Sequence, residues 1–449
     1  MIVCKFGGTS VQDAAAIGRL IQIIRDRSGE RPLVVVSALA GVTDELLAIA
    51  GLAQTPGSAH RERLDALLRR HEATAHELPG AEAALDFVRD DAAALAPELG
   101  AATGRRLTPR ELDSIAGRGE LWSSRLIAAA LAGAAVPAEW VDVRPIMVTD
   151  DRFGRATPYT QVLNSRARQY FCPILERDVV PVTQGFIGAT ATGVQTTFGR
   201  GGSDFSASLL GAALHASRVE IWTDVDGLMT ADPRVVASAR TLSVATYEEA
   251  AELATFGARV LHPATAVPLV REGIPIIVLN SRRPDRPGTT IEPTAEVERL
   301  GDSPIRSISW KKGITVINIR APRMLGAYGF LRQLFEVFER HEVVVDVLAS
   351  SEVSVSLTVE DPSHLDRVRR ELEDLGETWV DHGRAIVAVV GIGLKTAPGL
   401  AARVFGALQE TCIEVISQGA SAINMTFIVK EEDGPDVVRR LHQEFFGSC

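Results

Sequence analysis

The sequence predicts an α/β chain built on a largely parallel sheet covered on both faces, followed by a duplicated α+β unit. Three observations carry this. Short apolar runs alternate with amphipathic patterns through residue 292; the texture changes to Pro- and charge-rich at Ser281–Pro304; and two C-terminal stretches match each other at an offset of 70 residues. A chain of 449 residues suits two to three domains and a core that needs no disulfides.

The predicted strands are Ile2–Cys4, Leu33–Val36, Val179–Val182, Arg218–Trp222 and Ile274–Leu279. Most are near-continuous apolar runs, as parallel strands buried on both faces require. Between them, Ile17, Leu20, Ile21 and Ile24 recur at helical spacing. Thr108-Pro109-Arg110-Glu111 reads as a helix start, with Thr108 capping, Pro109 at the first position and Glu111 completing a capping box. Ala59–Leu99, rich in Ala, Glu and Arg, reads as a helical insertion. Pro284, Pro287, Gly288, Pro293 and Pro304 mark a connecting segment.

In the repeat, Phe335 aligns with Phe405, Phe338 with Leu408, Val343 with Ile413, Val345 with Val415, Ser351 with Ser421 and Leu357 with Phe427. Gly329 aligns with Gly399 just before each helix. Each copy reads strand, glycine turn, amphipathic helix, strand, turn, strand. A unit that small buries too little surface alone, so the two copies should pack together. Gly391-Ile392-Gly393 fits a turn of this repeat rather than a dinucleotide loop.

A net charge of -10 and a pI near 5.5 disfavour nucleic acid without a basic patch. None is present; RLDALLRR at 63–70 reads as a solvated helix face. The N-terminus lacks the basic-then-apolar order of a signal peptide, and no apolar run reaches 18 residues, so no membrane association is expected. Cys4, Cys172, Cys412 and Cys449 fit neither a disulfide framework nor a zinc site; reduced thiols in a cytoplasmic protein are expected.

Three segments carry candidate chemistry. Lys5-Phe6-Gly7-Gly8-Thr9-Ser10 runs from a strand through a glycine pair into a helix, where backbone N–H groups and the helix N-terminus favour a phosphate and Lys5 adds a full charge. A glycine turn with a surface lysine fits the same residues. Thr197-Phe198-Gly199-Arg200-Gly201-Gly202-Ser203-Asp204 precedes an apolar helix at Phe205–Leu214. Arg200 can grip an anion bidentately, and Asp204 either caps the helix or serves the site. Trp222–Arg234 is an Asp- and Gly-rich loop after a strand end, the usual ligand position in an open α/β sheet, or an ordinary solvated loop. No G-x-x-x-x-G-K-[ST] motif is present, which disfavours a P-loop ATPase.

KFGGTS at 5–10, TQGFIG at 183–188, TTFGRGGSD at 196–204, IWTDVDGLMTADPR at 221–234 and FGARVLHPAT at 256–265 resemble the signatures of the aspartate kinases, and the resemblance runs nearly end to end. SEVSVSL at 351–357 is similar to the single-function, lysine-sensitive branch, and no homoserine dehydrogenase domain is expected beyond residue 449. The resemblance implies a three-layer αβα amino-acid kinase fold with a mostly parallel central sheet over 1–292, a linker at 293–304, and C-terminal tandem ACT domains of α+β, ferredoxin-like topology. One ACT unit would span 314–384, the other 305–311 plus 385–449. The implied reaction moves the γ-phosphate of ATP, carried with Mg²⁺, onto the β-carboxylate of L-aspartate, opening lysine, threonine and methionine biosynthesis. L-lysine is the implied inhibitor, and the implied assembly is a homodimer through the ACT domains, or a tetramer.

By matching motif, Lys5 and Asp204 are the implied catalytic pair. Thr43, Glu120, Phe186, Arg200 and Ser203 would hold aspartate, Arg200 on the α-carboxylate and Glu120 on the ammonium. Read without the resemblance, Glu120 is an exposed helix charge. Lys5, Gly7, Gly8, Ser37, Thr223, Asp224, Met229, Arg234 and Arg259 would hold nucleotide, with no metal ligated by protein side chains alone. Arg259 stands where the family carries lysine, and Met229 where tyrosine is frequent. Met324, Gly329, Phe330, Leu331, Val345, Asp346, Ser350, Ser351 and Glu352 would bind the effector. Asp346 and Glu352 align with Ile416 and Ala422 in the second copy, so only the first carries acids for a cationic amino acid. Ala327 and Tyr328 depart from the polar and basic residues expected there. Two other readings remain: another amino-acid kinase, acting on glutamate or a derivative, and a catalytically silent amino-acid sensor.

Overall fold

The computed structural model describes residues 1–257, 263–293, 304–360 and 363–447. They fall into two compact units. The first holds Met1–Leu228, Ser243–Tyr247 and the described part of Val260–Ala295; the second holds Met229–Leu242 and the described parts of Glu248–Arg259 and Glu296–Cys449.

The strands of the first unit are β1 (Ile2–Phe6), β2 (Pro32–Val36), β3 (Ala138–Trp140), β4 (Val148–Thr149), β5 (Val180–Gln184), β6 (Ile187–Thr190), β7 (Gln195–Thr197), β8 (Val219–Thr223), β9 (Val244–Thr246), β10 (Ile276–Asn280) and β11 (Thr289–Glu292). Eight form one sheet in the order β3-β5-β2-β1-β8-β10-β11-β9, parallel except between β10 and β11. β4, β6 and β7 form a separate small sheet. All five predicted strands are present, each displaced by at most two residues.

Both faces of the large sheet are covered. Ile2, Cys4 and Phe6 point to one side, into a core with Ile17, Leu20 and Ile24 of helix Ala14–Asp26 and Leu126, Ile127 and Leu131 of helix Arg118–Gly133. Each such fully buried aliphatic side chain contributes roughly 1.5–3 kcal/mol. Val3 and Lys5 point to the opposite side, toward helix Gly202–Ala213, which lies so close that a Cβ at Gly211 would sit 2.6 Å from Val219 and 3.9 Å from Val3. The period of two along β1 therefore aims Lys5 at that helix's N-terminal end.

The expected insertion forms two helices, Ala59–His76 and Leu85–Gly100. The predicted capping box is present: Thr108 Oγ1 accepts from the Glu111 N–H, and the Glu111 carboxylate accepts from the Thr108 N–H.

The second unit is one antiparallel sheet of six strands: β12 (Ile305–Arg320), β13 (Leu348–Ser350), β14 (Ser354–Val359), β15 (Glu377–Gly391), β16 (Val415–Gln418) and β17 (Asn424–Lys430), ordered β13-β14-β12-β15-β17-β16. β12 and β15 are long, and their register breaks around Gly313, whose φ is 77°. On either side of that break lie two cores. One gathers Ile317, Leu334, Phe338, Leu357 and Leu372; the other gathers Ile305, Ala385, Leu408, Phe427 and Leu441.

The repeat is visible in the backbone. Gly329 and Gly399, at φ of 82° and 73°, each precede a helix, Phe330–Arg340 and Leu400–Gly406. Each copy also carries a second helix, Leu365–Glu373 or Gly434–Phe446, that the six-element reading left out.

Candidate active site

Three glycine-hinged turns at the C-terminal ends of the strands enclose a cleft of about 330 Å³ lined entirely by first-unit residues, among them Lys5, Gly8, Ser37, Thr43, Glu120, Phe186, Ser203 and Asp204. Gly8 opens a short 3-10 turn after β1, and a Cβ there would lie 3.2 Å from the Ala38 carbonyl. Gly41, at φ 78°, precedes helix Val42–Ala53; Gly201, at φ 74°, precedes helix Gly202–Ala213. Unpaired N–H groups in the first turns of these helices give the cleft a positive bias.

Lys5 Nζ lies 2.6 Å from Asp204 Oδ1, with both side chains at least 85% buried (10% and 15% exposed). The sequence separates these residues by nearly two hundred positions; the sheet and its covering helix bring them together. Asp204 thus serves as Lys5's partner in the first turn of its helix, where no side-chain cap bond forms. Gly7 donates its N–H to the Trp222 carbonyl at 3.1 Å, so this N–H belongs to the fold, whereas Gly8 faces the cleft.

Glu120 is 3% exposed, contrary to its reading as a surface charge. Oε1 accepts the Ala38 N–H at 3.2 Å, and Oε2 is buried without a hydrogen-bond partner. Burial pushes its carboxyl up to about 8. Its helix is packed tightly: a Cβ at Gly119 would sit 2.7 Å from that of Ala38, and Ser123 donates to the Ser37 carbonyl at 2.8 Å. Arg118 and Trp122 both hydrogen-bond Asp91 at 2.6 Å, tying this helix to the insertion.

Phe186 has a φ of 66°, rare for a residue with a side chain. Its N–H donates to Ser206 Oγ at 3.0 Å and its carbonyl accepts the Phe198 N–H at 3.0 Å, which holds the strained residue against the glycine turn. A Cβ at Gly185 would lie 2.7 Å from that of Ser203. Arg200 is exposed between Gly199 and Gly201, outside the cleft lining.

Thr223 ends β8 beside β1, and Asp224 is exposed next to it. Met229 and Arg234 belong to the second unit, where Met229 bridges Thr241 and Arg234 pairs with Asp232 at 2.7 Å. Arg259 lies outside the described residues. Among the described residues, no cluster of three or more His, Cys, Asp or Glu has metal-binding geometry.

Sequence reasoning missed Arg70, placed on a solvated face. It is half-buried and donates to the Ala40 and Gln12 carbonyls at 2.9 and 3.1 Å, lacing the second glycine loop to the first. Its signal was the heptad-like burial of Leu64 and Leu67 on the same helix, which turns part of that surface inward.

The effector candidates lie in the second unit. Gly329 caps helix Phe330–Arg340; Met324, Phe330 and Val345 pack half-buried against the first core; Leu331, Asp346, Ser350, Ser351 and Glu352 are exposed. Asp346 donates its N–H to the Thr358 carbonyl at 2.9 Å, and Ser351 and Ser354 share a hydroxyl contact of 2.7 Å.

With this geometry in hand, likeness to known proteins is informative. The amino acid kinase family model matches residues 1–280, and an ACT domain model matches residues 387–445. The chain is 40% identical over 458 residues to lysine-sensitive aspartokinase 3 of Escherichia coli K12, covering 99% of both. It is similar to the crystal structure of E. coli aspartokinase III in complex with aspartate and ADP in the R-state, at TM-score 0.83 and 39% identity over 99% of this chain and 100% of that one. The same scores hold for the lysine and aspartate complex in the T-state, with 99% of each chain covered. A sheet, a cleft and an identity that agree along the full length lead to one assignment: the chain belongs to the aspartokinase family of amino acid kinases.

Proposed function

We propose that this aspartate kinase transfers the γ-phosphoryl group of ATP to the β-carboxylate of L-aspartate in the Lys5–Glu120 cleft. The observation that carries it is the Lys5–Asp204 pair at 2.6 Å beside the buried, half-satisfied carboxylate of Glu120 in one cavity. An ionised β-carboxylate is already nucleophilic, so the task is alignment and neutralisation of phosphate charge rather than base catalysis. Lys5 neutralises the transferring group, and Asp204 keeps the ammonium in place before ATP arrives. Glu120 receives the substrate ammonium, which completes the bonding of Oε2. Arg200 swings in on the α-carboxylate, with Thr43, Phe186 and Ser203 forming the walls. Gly8, Ser37, Thr223 and Asp224 border the nucleotide, with Gly7 shaping the loop. Mg²⁺, when bound, would shield the phosphates; the cleft carboxylates Asp44, Glu120 and Asp204 form no metal-binding cluster, which suits an ion held mainly by ATP and water.

The second unit senses L-lysine through Asp346 and Glu352. What supports this is the acid asymmetry between the repeat copies and the lysine-sensitive name of the E. coli relative. The two hydrophobic cores support the division into ACT units at 314–384 and at 305–311 plus 385–449. A homodimer through these units, cytoplasmic residence, and service to lysine, threonine and methionine synthesis complete the reading.

Hydroxylamine trapping of the acyl phosphate tests it, with aspartate or glutamate as acceptor and with lysine, threonine or methionine added. Aspartate-dependent hydroxamate suppressed by lysine is expected. Equal turnover of glutamate contradicts the acceptor, absence of any turnover favours a silent sensor, and threonine inhibition without a lysine response contradicts the effector.

A further inference from the structure

Asp113, on helix Pro109–Ala116, is 4% exposed and lies outside the cleft lining. Both its carboxylate oxygens are engaged. Oδ2 accepts the Gly154 N–H at 2.9 Å and the Thr197 N–H at 2.8 Å, and Oδ1 accepts the Thr197 hydroxyl at 2.8 Å. Its carbonyl accepts from Gln195 Nε2 at 2.9 Å.

These partners lead into the site by two routes. Thr197 ends β7 and is followed by Phe198, whose N–H bonds the Phe186 carbonyl at 3.0 Å, and then by the turn that delivers Ser203 and Asp204. Gly154 turns its carbonyl on Gly199, where a Cβ would lie 2.7 Å away, so the position of Gly154 sets the path of the turn. At its other end, the Asp113 helix runs through Gly117 into the helix that bears Glu120. One buried carboxylate therefore links the element holding Glu120 to the turn holding Arg200 and Ser203.

We propose that Asp113 is a positioning residue for the aspartate half of the site, fixing the Gly199–Gly202 turn against Glu120. The inference rests on the aspartate-phosphorylation reading above. Lys5 and Gly8 themselves are held by β1 and its neighbours, which Asp113 does not touch, so its loss falls first on the aspartate side and reaches Lys5 only through Asp204 at the start of helix Gly202–Ala213. An Asp113→Asn amide keeps the shape but loses the charge and one accepting oxygen: its N–H₂ meets two backbone N–H groups in the place of Oδ2, or forces the Thr197 hydroxyl to turn and accept in the place of Oδ1.

Steady-state kinetics of the full chain with both substrates, alongside thermal melts, test it. Wild-type turnover with aspartate is measured first; its absence sinks the functional reading and this inference with it. For Asp113→Asn, kcat/KM for aspartate falls about 10²-fold, the scale of a 1 Å misplacement, while KM for ATP stays within about 2-fold by the same local argument. A folded variant whose kcat/KM for aspartate is unchanged, or whose ATP KM rises as much as its aspartate KM, overturns the inference. If Asp113→Asn does not fold, Thr197 decides: Thr197→Val, which removes the hydroxyl donor, raises aspartate KM, and Thr197→Ser restores it. Thr197→Val with wild-type aspartate KM overturns the inference.

Discussion

Glu120→Gln exchanges the buried carboxylate for a neutral amide of equal size and separates two consequences of one charge. In the substrate-free protein the carboxyl is carried from the ordinary 4.5 up to about 8 by burial, with one oxygen unpartnered. The folded state therefore retains a proton that the unfolded chain releases above pH 4.5. Below that value both states are protonated and the group is neutral to stability. Between there and about pH 8 it makes the fold progressively less stable. At about 1.36 kcal/mol per unit, the loss by pH 8 is on the order of 3–5 kcal/mol. Glu120→Gln removes it, so the variant melts higher than wild type at pH 8 and equally at pH 4.5 or below. Aspartate binding changes in the opposite sense. The substrate ammonium favours the ionised form, so wild-type KM for aspartate falls as pH rises from 6 to 8, whereas Glu120→Gln binds at least about 10²-fold more weakly at pH 8, the scale of an unpaired buried charge. Scanning fluorimetry across pH and steady-state kinetics read both. A melting difference independent of pH, together with unchanged aspartate KM, refutes the reasoning.

Two further perturbations reach other parts of the chain. His71 is fully buried against Trp122, its Nδ1 bonded to the Leu67 carbonyl at 2.8 Å, and burial pulls its imidazole down to about 4. Its neutral form supports the fold above pH 6.5, and that support is lost as pH falls toward 4, by on the order of 3 kcal/mol. His71→Leu flattens this acid loss in denaturant titrations at pH 7 and 4.5; identical acid sensitivity in wild type and variant contradicts it. Glu352→Ala raises the lysine concentration for half-inhibition by about 10-fold, the scale of an exposed-to-buried charge contact, with uninhibited kcat unchanged. Retained lysine sensitivity assigns the effector contact elsewhere.

Much of the fold was legible because its signals are local. β1, β2, β5, β8 and β10 are apolar runs that strands buried on two faces must have, and Thr108–Glu111 spells its own cap. The repeat was legible because Gly329 and Gly399 both adopt positive φ before an amphipathic helix. What stayed hidden depends on packing between distant segments. Glu120 reads as a surface charge until the Ala38 loop and helix Val42–Ala53 pack against its helix. Arg70 reads as solvated until its guanidinium meets two loop carbonyls. Asp113 carries no motif at all; its role follows from three donors that arrive from residues 154 and 197. The pairing of Lys5 with Asp204 needed the sheet, because only the alternation along β1 turns Lys5 toward the right helix.

Turnover of Lys5→Met at saturating ATP and aspartate tests the central claim most directly, since methionine keeps the length of the side chain and removes its charge. A preorganised charge acting on the transferring phosphoryl group predicts a fall in kcat of at least about 10²-fold, with aspartate KM nearly unchanged; the melting temperature falls as well, because Asp204 loses its partner in a largely buried pair. A Lys5→Met enzyme that retains wild-type kcat contradicts the account.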